Sequence, residues 1–387
     1  MMYLKLLEKH IKEGILHLHL PQGKVYTFGS SGTEVNWYFK SEKAIRRIAL
    51  DWEFQLGQTY MEGLWHAGDG SLYDLLGLLR SNFQPKKNSW HKPIQGAIQQ
   101  WNKISRAYNN ISHHYDIHED VFRHFLDKEM FYSCAYFESD DASLEEAQNS
   151  KAKHIAKKLL LKDNQRVLDI GCGWGSMMFH LAQNYNVDVS GITLSREQLS
   201  VAQAEAKRRQ LANTHFHLQD YREHHGLYDR IVSIGMFEHV GTPFYTTYFN
   251  KIADMLDEDG LALVHTIGKT APPRTTNPWI HKYIFPGGVN PSLSQITKAL
   301  ELSNLRITDV EVLRKHYALT LHHWQLRFQQ HRHEIAEILD EEFCLMWEFY
   351  LAICEVAFVF SDLVVYQLQL AKKHGPVPIT RDYLYKI

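Results

Sequence analysis

The sequence predicts an α/β protein: a parallel sheet covered by helices on both faces, preceded by a smaller α+β module. Two observations lead there. From Arg166 onward, short apolar runs alternate with helix-length segments, the pattern of strand–helix–strand units. Before residue 90, strand-like runs with a period of two end in glycine and proline turns.

In the N-terminal part, Gly14 to Leu20 alternates roughly with period two and Pro21-Gln-Gly23 closes it. Lys24–Phe28 follows, and the pair reads as a hairpin. Ser41–Leu50 reads as a helix with Ala44, Ile45, Ile48 and Ala49 on one side, and Leu72–Leu79 as a short apolar helix. Asn82–Pro93 is polar, holds Pro85 and Pro93, and reads as a connection. The expected division is an N-terminal domain over 1–90, a linker over 91–115 and a second domain over 116–387.

Trp101–Leu126 and Ser143–Leu161 read as helices. Beyond them the strand candidates are Val167–Ile170, Val187–Ile192, His215–Leu218, Ile231–Ile234 and Leu261–Ile267. Helices fit between them near Ser176–Tyr185, Ser195–Arg209 and Pro243–Leu256. The C-terminal segment reads as helical: Glu341, Glu348, Glu355 and Asp362 recur every seven residues, and apolar residues fill most of 345–370. A helix with one narrow acidic stripe is mostly buried.

Composition excludes several classes. The 387 residues are 44% hydrophobic and 22% charged, unlike collagen-like or disordered chains. The four cysteines, Cys134, Cys172, Cys344 and Cys354, are well separated, which fits a reducing compartment better than a disulfide framework. The 24 histidines lack finger-type spacing, so no metal site is expected. There is no uninterrupted apolar run of about 18 residues and no signal-peptide pattern at the N-terminus; a cytoplasmic protein is the expectation.

The net charge of −2 conceals a split. Residues 1–115 hold 14 Lys or Arg against 9 Asp or Glu, and the remainder of the chain is correspondingly acidic. Arg80, Lys86, Lys87, Lys92, Lys103 and Arg106 fall in a stretch without an acidic residue. Such a surface attracts polyanions such as nucleic acid or anionic lipid, although an ordinary solvated face has the same composition.

The most specific motif is Val167-Leu-Asp-Ile-Gly171-Cys-Gly173-Trp-Gly175, which follows a strand and opens a helix. Glycines there allow turn conformations closed to other residues and let a ligand lie against backbone. The spacing GxGxG is neither the dinucleotide GxGxxG nor a phosphate-binding GK[ST] loop; under Asp169 it points to S-adenosylmethionine. Gly191-Ile-Thr-Leu-Ser195 ends the second strand, where Thr193 offers a hydroxyl to a ribose. Gln219-Asp-Tyr-Arg222 follows the third strand; Asp220 is the candidate acceptor for the adenine amino group and Tyr221 the candidate cover for the ring.

At these residues the chain resembles the cyclopropane fatty acid synthases and the related mycolic acid cyclopropane synthases. The resemblance rests on Phe131-Tyr-Ser-Cys-Ala-Tyr136, the glycine loop, GITLS, Gln219–Arg222, Gly235-Met-Phe-Glu-His-Val-Gly241, His265-Thr-Ile-Gly268, Phe285-Pro-Gly-Gly288, His316-Tyr317 and Tyr350–Cys354. Leu56-Gly-Gln-Thr-Tyr-Met-Glu-Gly63 is similar to the N-terminal domain of the bacterial enzymes. One departure is Val359, where the family usually has Arg, which puts an ion pair at that position in doubt.

The resemblance implies a class I S-adenosylmethionine-dependent methyltransferase domain, Rossmann-like, behind a lipid-docking domain. It implies methylene transfer to the cis double bond of a phospholipid acyl chain, with bound bicarbonate as the base. It assigns Cys134, Glu238, His265 and Tyr317, with the backbone of Ile267, to the bicarbonate, and Cys354 to the pocket wall. Tyr132, Ser133, Asp169, Gly171, Gly173, Thr193, Leu194, Gln198, Asp220 and Tyr221 become the cofactor set. Tyr245, Tyr248, Phe249, Tyr283 and Phe285 are candidates to stabilise a cation through their ring faces. The partners implied are an anionic bilayer touched peripherally at the inner face of the membrane, and a second copy of the chain as a homodimer, with no nucleic acid. Two alternatives share the cofactor loops: a lipid methyltransferase acting on an alkene or hydroxyl without ring closure, and a non-catalytic lipid-transfer or S-adenosylmethionine-sensing protein.

Overall fold

The computed structural model describes residues 2–83 and 118–385. The expected linker 91–115, and with it Lys86, Lys87, Lys92, Lys103 and Arg106, lies outside the described residues. Two compact units result, and they do not follow a division at 90 and 116. The first unit gathers residues 1–93, 276–286 and 318–362; the second gathers 94–275, 287–317 and 363–387.

The first unit holds a four-stranded sheet of β1 (Gly14–His19), β2 (Val25–Ser31), β3 (Glu34–Phe39) and β4 (Trp65–His66). Its order is β2-β1-β3-β4; β1 and β2 form the expected antiparallel hairpin, and β3 runs parallel to β1. The helix Glu42–Leu50 starts at Ser41, whose side chain accepts the Lys43 N–H, and buries Ala44, Ile45 and Ile48. The helix Trp52–Met61 packs closely at Gly57: a Cβ there would lie 2.7 Å from both Trp279 and Phe349. Those two residues come from the later segments of the unit, so the Leu56–Gly63 motif is a packing motif here.

The helix Glu341–Phe360 has the length and apolarity to cross a membrane, with a mean hydropathy of 1.8. It instead buries Trp347, Leu351, Ala352 and Val356 in this unit. Of its acidic stripe, Glu348 and Glu355 are buried, while Glu341 stays exposed. Glu348, 6% exposed, accepts from Arg332 Nε at 2.7 Å and Gln329 Nε2 at 2.8 Å, and the Tyr60 hydroxyl donates to it at 3.4 Å. Glu355 pairs with His322 at 3.2 Å. Arg80, expected on a docking surface, is half-buried and donates to Ser361 Oγ at 2.7 Å.

The second unit is built on a seven-stranded sheet of β5 (Gln165–Ile170), β6 (Val187–Thr193), β7 (Thr214–Leu218), β8 (Tyr228–Ile234), β9 (Leu256–Lys269), β10 (Arg306–Leu313) and β11 (Leu363–Ala371). The order is β10-β11-β9-β8-β5-β6-β7. The five strands β5 to β9 are parallel, as expected. The last two are additions: β11 runs antiparallel to both β9 and β10. The helical reading of 345–370 is therefore corrected: the helix stops at Phe360, and 363–371 is an interior strand. A strand buried on both faces is a continuous apolar run, and periodicity does not separate it from a buried helix.

Two apolar clusters hold helices against this sheet. One includes Tyr221, Phe237, Tyr245, Tyr248, Phe249 and Ile252; the other includes Ile155, Leu159, Met178 and Leu181. The helix Leu144–Leu159 opens with a capping box in which Ser143 and Glu146 satisfy each other's backbone N–H groups.

Candidate active site

The glycine loop ends β5. Gly171, Gly173 and Gly175 have φ of 83°, 56° and 89°, the left-handed region that glycine tolerates. The backbone N–H groups of Gly171 and Cys172 both donate to Ile192 O, tying the loop to the end of β6. At Gly191 a Cβ would stand 2.2 Å from Met178 Sδ and 2.9 Å from Cys172 Cβ, so this strand must pass the loop bare. The result is a cleft at the C-terminal ends of the parallel strands, where open α/β sheets bind ligands. Its empty volume is about 770 Å³ including the open mouth.

Seven of the expected cofactor residues line this cleft: Gly171, Gly173, Thr193, Leu194, Gln198, Asp220 and Tyr221. Thr193 is fixed from two sides: its hydroxyl donates to Gln198 Oε1 at 3.3 Å and accepts the Ser195 N–H at 3.2 Å. Ser195 in turn caps the helix Arg196–Arg208. Asp220 is more engaged than expected. Arg222 donates to both of its carboxylate oxygens, at 2.8 and 2.7 Å, so only the remaining lone pairs face a ligand. Tyr221 lies edge-on to Tyr248, with ring centres 5.3 Å apart.

Tyr132, Ser133 and Asp169 are not among the residues that line the cleft. Tyr132 stands 6.5 Å from Trp174 of the glycine loop, ring centre to ring centre. Ser133 Oγ accepts from Lys151 Nζ at 2.9 Å. Asp169 is buried at the end of β5; burial pushes its carboxyl up to about 7, while the charge of Lys151 opposes the shift. Arg222, Met236 and His239 line the cleft but carried no assignment from the sequence, although each stands inside a motif quoted above. Burial holds His239 down to about 4, a neutral ring near neutral pH.

The second group of expected residues divides between the units. Glu238, His265, Ile267, Cys134 and Tyr317 belong to the second unit, and Cys354 to the first. The Ile267 N–H donates to Glu238 Oε1 at 2.7 Å, so that N–H is already committed within the protein. The other oxygen, Oε2, is buried with no hydrogen-bond partner among the described residues. Burial pushes the Glu238 carboxyl up to about 7 against that backbone N–H. His265 lies two residues before Ile267 on β9, so the two side chains leave the same face. Burial, together with the charges of Lys151 and Lys158, holds His265 far below the usual histidine range.

Cys134 Sγ turns toward Ala135 O at 3.2 Å. Two residues on, Tyr136 stacks between His154 and His316, with ring centres 4.3 and 4.9 Å away, which brings the Cys134 segment beside Tyr317. Burial pushes the Cys354 thiol up to about 12, so it is no thiolate nucleophile. The cation-stabilising assignments do not survive for Tyr245, Tyr248 and Phe249, which pack in the core around Phe237. Tyr283 donates to Gln58 and Phe285 stands edge-on to Tyr350, all within the first unit.

The sheet order, the glycine loop and the cleft define a Rossmann-like S-adenosylmethionine-dependent methyltransferase. A solved structure of mycolic acid cyclopropane synthase CmaA1 complexed with SAH and CTAB superposes with a TM-score of 0.64 at 33% identity, covering 68% of this chain and 97% of that one. Residues 102–368 match the family profile described as mycolic acid cyclopropane synthetase, and the chain belongs to that family. It is 37% identical over 337 residues to the cyclopropane-fatty-acyl-phospholipid synthase of Escherichia coli (strain K12), which covers 86% of this chain and 87% of that protein. It is also 37% identical over 393 residues to a probable fatty acid methyltransferase of Pseudomonas putida, covering 96% of each.

Proposed function

We propose that the chain adds a methylene group, drawn from S-adenosylmethionine, across the cis double bond of an unsaturated phospholipid acyl chain and closes a cyclopropane ring. Bicarbonate is the base in this reading. The observation that carries it is the buried, unpaired Glu238 Oε2 beside the strand of His265. A carboxylate oxygen left without a donor in a buried site is costly, and a small ligand with an O–H satisfies it. His265 and the Tyr317 hydroxyl are donors for the remaining oxygens of such a ligand, and a carboxyl near 7 accepts or holds its proton. When bound, the anion supplies a base for the proton that must leave the transferred methyl group before the ring closes. Cys134 packs the site, its thiol turned toward the Ala135 carbonyl.

In this reading the protein works in the cytoplasm as a homodimer and docks peripherally on the anionic inner face of the membrane through residues 1–90. The positive excess of residues 1–115 supports it, at about 1 kcal/mol for each Lys or Arg near an anionic leaflet. Charge reversal at Lys86, Lys87 and Lys92 lowers binding to anionic vesicles; unchanged binding refutes the docking role.

The experiment for the reaction is incubation with methyl-labelled S-adenosylmethionine and vesicles of unsaturated phospholipid, followed by fatty-acid analysis. A saturated ring carrying one added carbon supports the proposal. A branched or O-methylated product, or a retained double bond, supports transfer without ring closure. No transfer refutes both.

A further inference from the structure

Where β9 and β11 pair, a buried line of polar side chains leads away from His265. Gln367 stands directly opposite His265 in the antiparallel register and is fully buried. Its amide nitrogen lies 3.2 Å from His265 Nδ1. Lys158 Nζ donates to Gln367 Oε1 at 2.8 Å and also to Glu311. Lys158 is only 1% exposed. Glu311 further bonds His154 Nε2 at 2.6 Å. Burial works against the charge of Glu311, but these two partners prevail and hold its carboxyl down to about 2.

The chemistry of each group sets the direction of each bond. An ammonium only donates, so the Gln367 amide must turn its oxygen to Lys158 and its NH2 to His265. An NH2 group only donates, so His265 Nδ1 must accept. A neutral imidazole has one nitrogen of each kind, so the ring proton sits on Nε2. The reversed tautomer would set two donors face to face in a buried site, a bias against it of about ten- to a hundredfold.

We propose that Glu311, Lys158 and Gln367 form a positioning relay that locks His265 in its Nε2–H tautomer, presenting one fixed donor to the anion held beside Glu238. The proposal rests on the reading of His265 as an anion ligand. The three relay residues are positioning residues and act through His265. The same logic governs catalytic histidines elsewhere, where the partner on one ring nitrogen decides what the other can do.

The test uses the full chain with 15N-labelled histidine, the His265 signals being assigned by their loss in His265→Gln. Wild-type protein shows a protonated Nε2 and a bare Nδ1. Gln367→Glu places an acceptor against Nδ1, with Lys158 as its counter-charge, and moves the proton to Nδ1. In that variant the bicarbonate concentration for half-maximal turnover rises by about tenfold or more, while the KM for S-adenosylmethionine is unchanged. Gln367→Met, which keeps the volume and removes both bonds, populates both tautomers and carries the test if Gln367→Glu does not fold. A wild-type proton on Nδ1, or wild-type bicarbonate dependence in both variants, overturns the proposal. Full turnover in His265→Gln, or wild-type turnover insensitive to bicarbonate, overturns the anion reading itself and with it the role of the relay; the nitrogen spectra then still decide whether the lock exists.

Discussion

The backbone N–H of Ile267 donates to Glu238 Oε1 at 2.7 Å, which fastens a buried acid to the strand that carries His265. One oxygen of the acid is thereby bonded within the fold, and the other is buried with no partner among the described residues. Glu238→Gln keeps the shape and the bond to Ile267 but replaces the acceptor Oε2, or turns a donor toward it. Turnover is expected to fall by about a hundredfold or more, with S-adenosylmethionine affinity unchanged by calorimetry. Retained turnover would remove Glu238 from the chemistry.

The same residue makes a pH prediction. Burial raises the folded-state carboxyl from 4.5 to about 7, so between those values the folded state binds more protons than the unfolded one. Stability contributed by this group is therefore full below about pH 4.5 and declines as pH rises through 7, by on the order of 2–3 kcal/mol. In Glu238→Gln that decline is absent. Urea denaturation at pH 5 and pH 8 reads the difference: the substitution stabilises the protein more at pH 8 than at pH 5.

Arg222 holds Asp220 by both carboxylate oxygens in the wall of the cofactor cleft. Asp220 is only 1% exposed, so losing the guanidinium leaves a buried charge without its partner. Arg222→Leu is expected to weaken S-adenosylhomocysteine binding by about tenfold, and Asp220→Ala by about ten- to a hundredfold. Equal affinity in all three proteins would mean that this pair serves the fold alone.

In the first unit, Arg332 bridges Glu341 and the buried Glu348. Arg332→Met is expected to destabilise the protein by about 1–3 kcal/mol, because Glu348 loses a charge-assisted hydrogen bond in a buried site. Adding Glu348→Gln should restore part of the loss. Denaturant midpoints of the single and double variants measure the coupling, and strict additivity would refute it.

Much of the cofactor cleft is legible in the chain because its parts are local. A glycine loop after a strand, a hydroxyl at the end of the next strand and an acid after the third each announce themselves within about ten residues. Strands β5 to β9 follow from alternation of short apolar runs with helices. The strands β10 and β11 do not: Leu363–Ala371 is as apolar as the helix before it, and local pattern reports burial without saying by what. The acidic repeat at Glu341, Glu348 and Glu355 has the spacing of a helix stripe whether it faces water or the side chains of Arg332 and His322.

What the sequence by itself determined is therefore the parallel sheet, the glycine loop, and seven of the residues that line the cleft. Only the tertiary structure decided which side-chain atoms of Asp220, Glu238 and His265 are bonded within the protein. Arg222 occupies Asp220, Ile267 occupies half of Glu238, and Gln367 occupies one nitrogen of His265. Gln367 lies 102 positions from His265 in the chain. Strand register, not sequence distance, sets them opposite each other, and register is fixed by the pairing of whole strands.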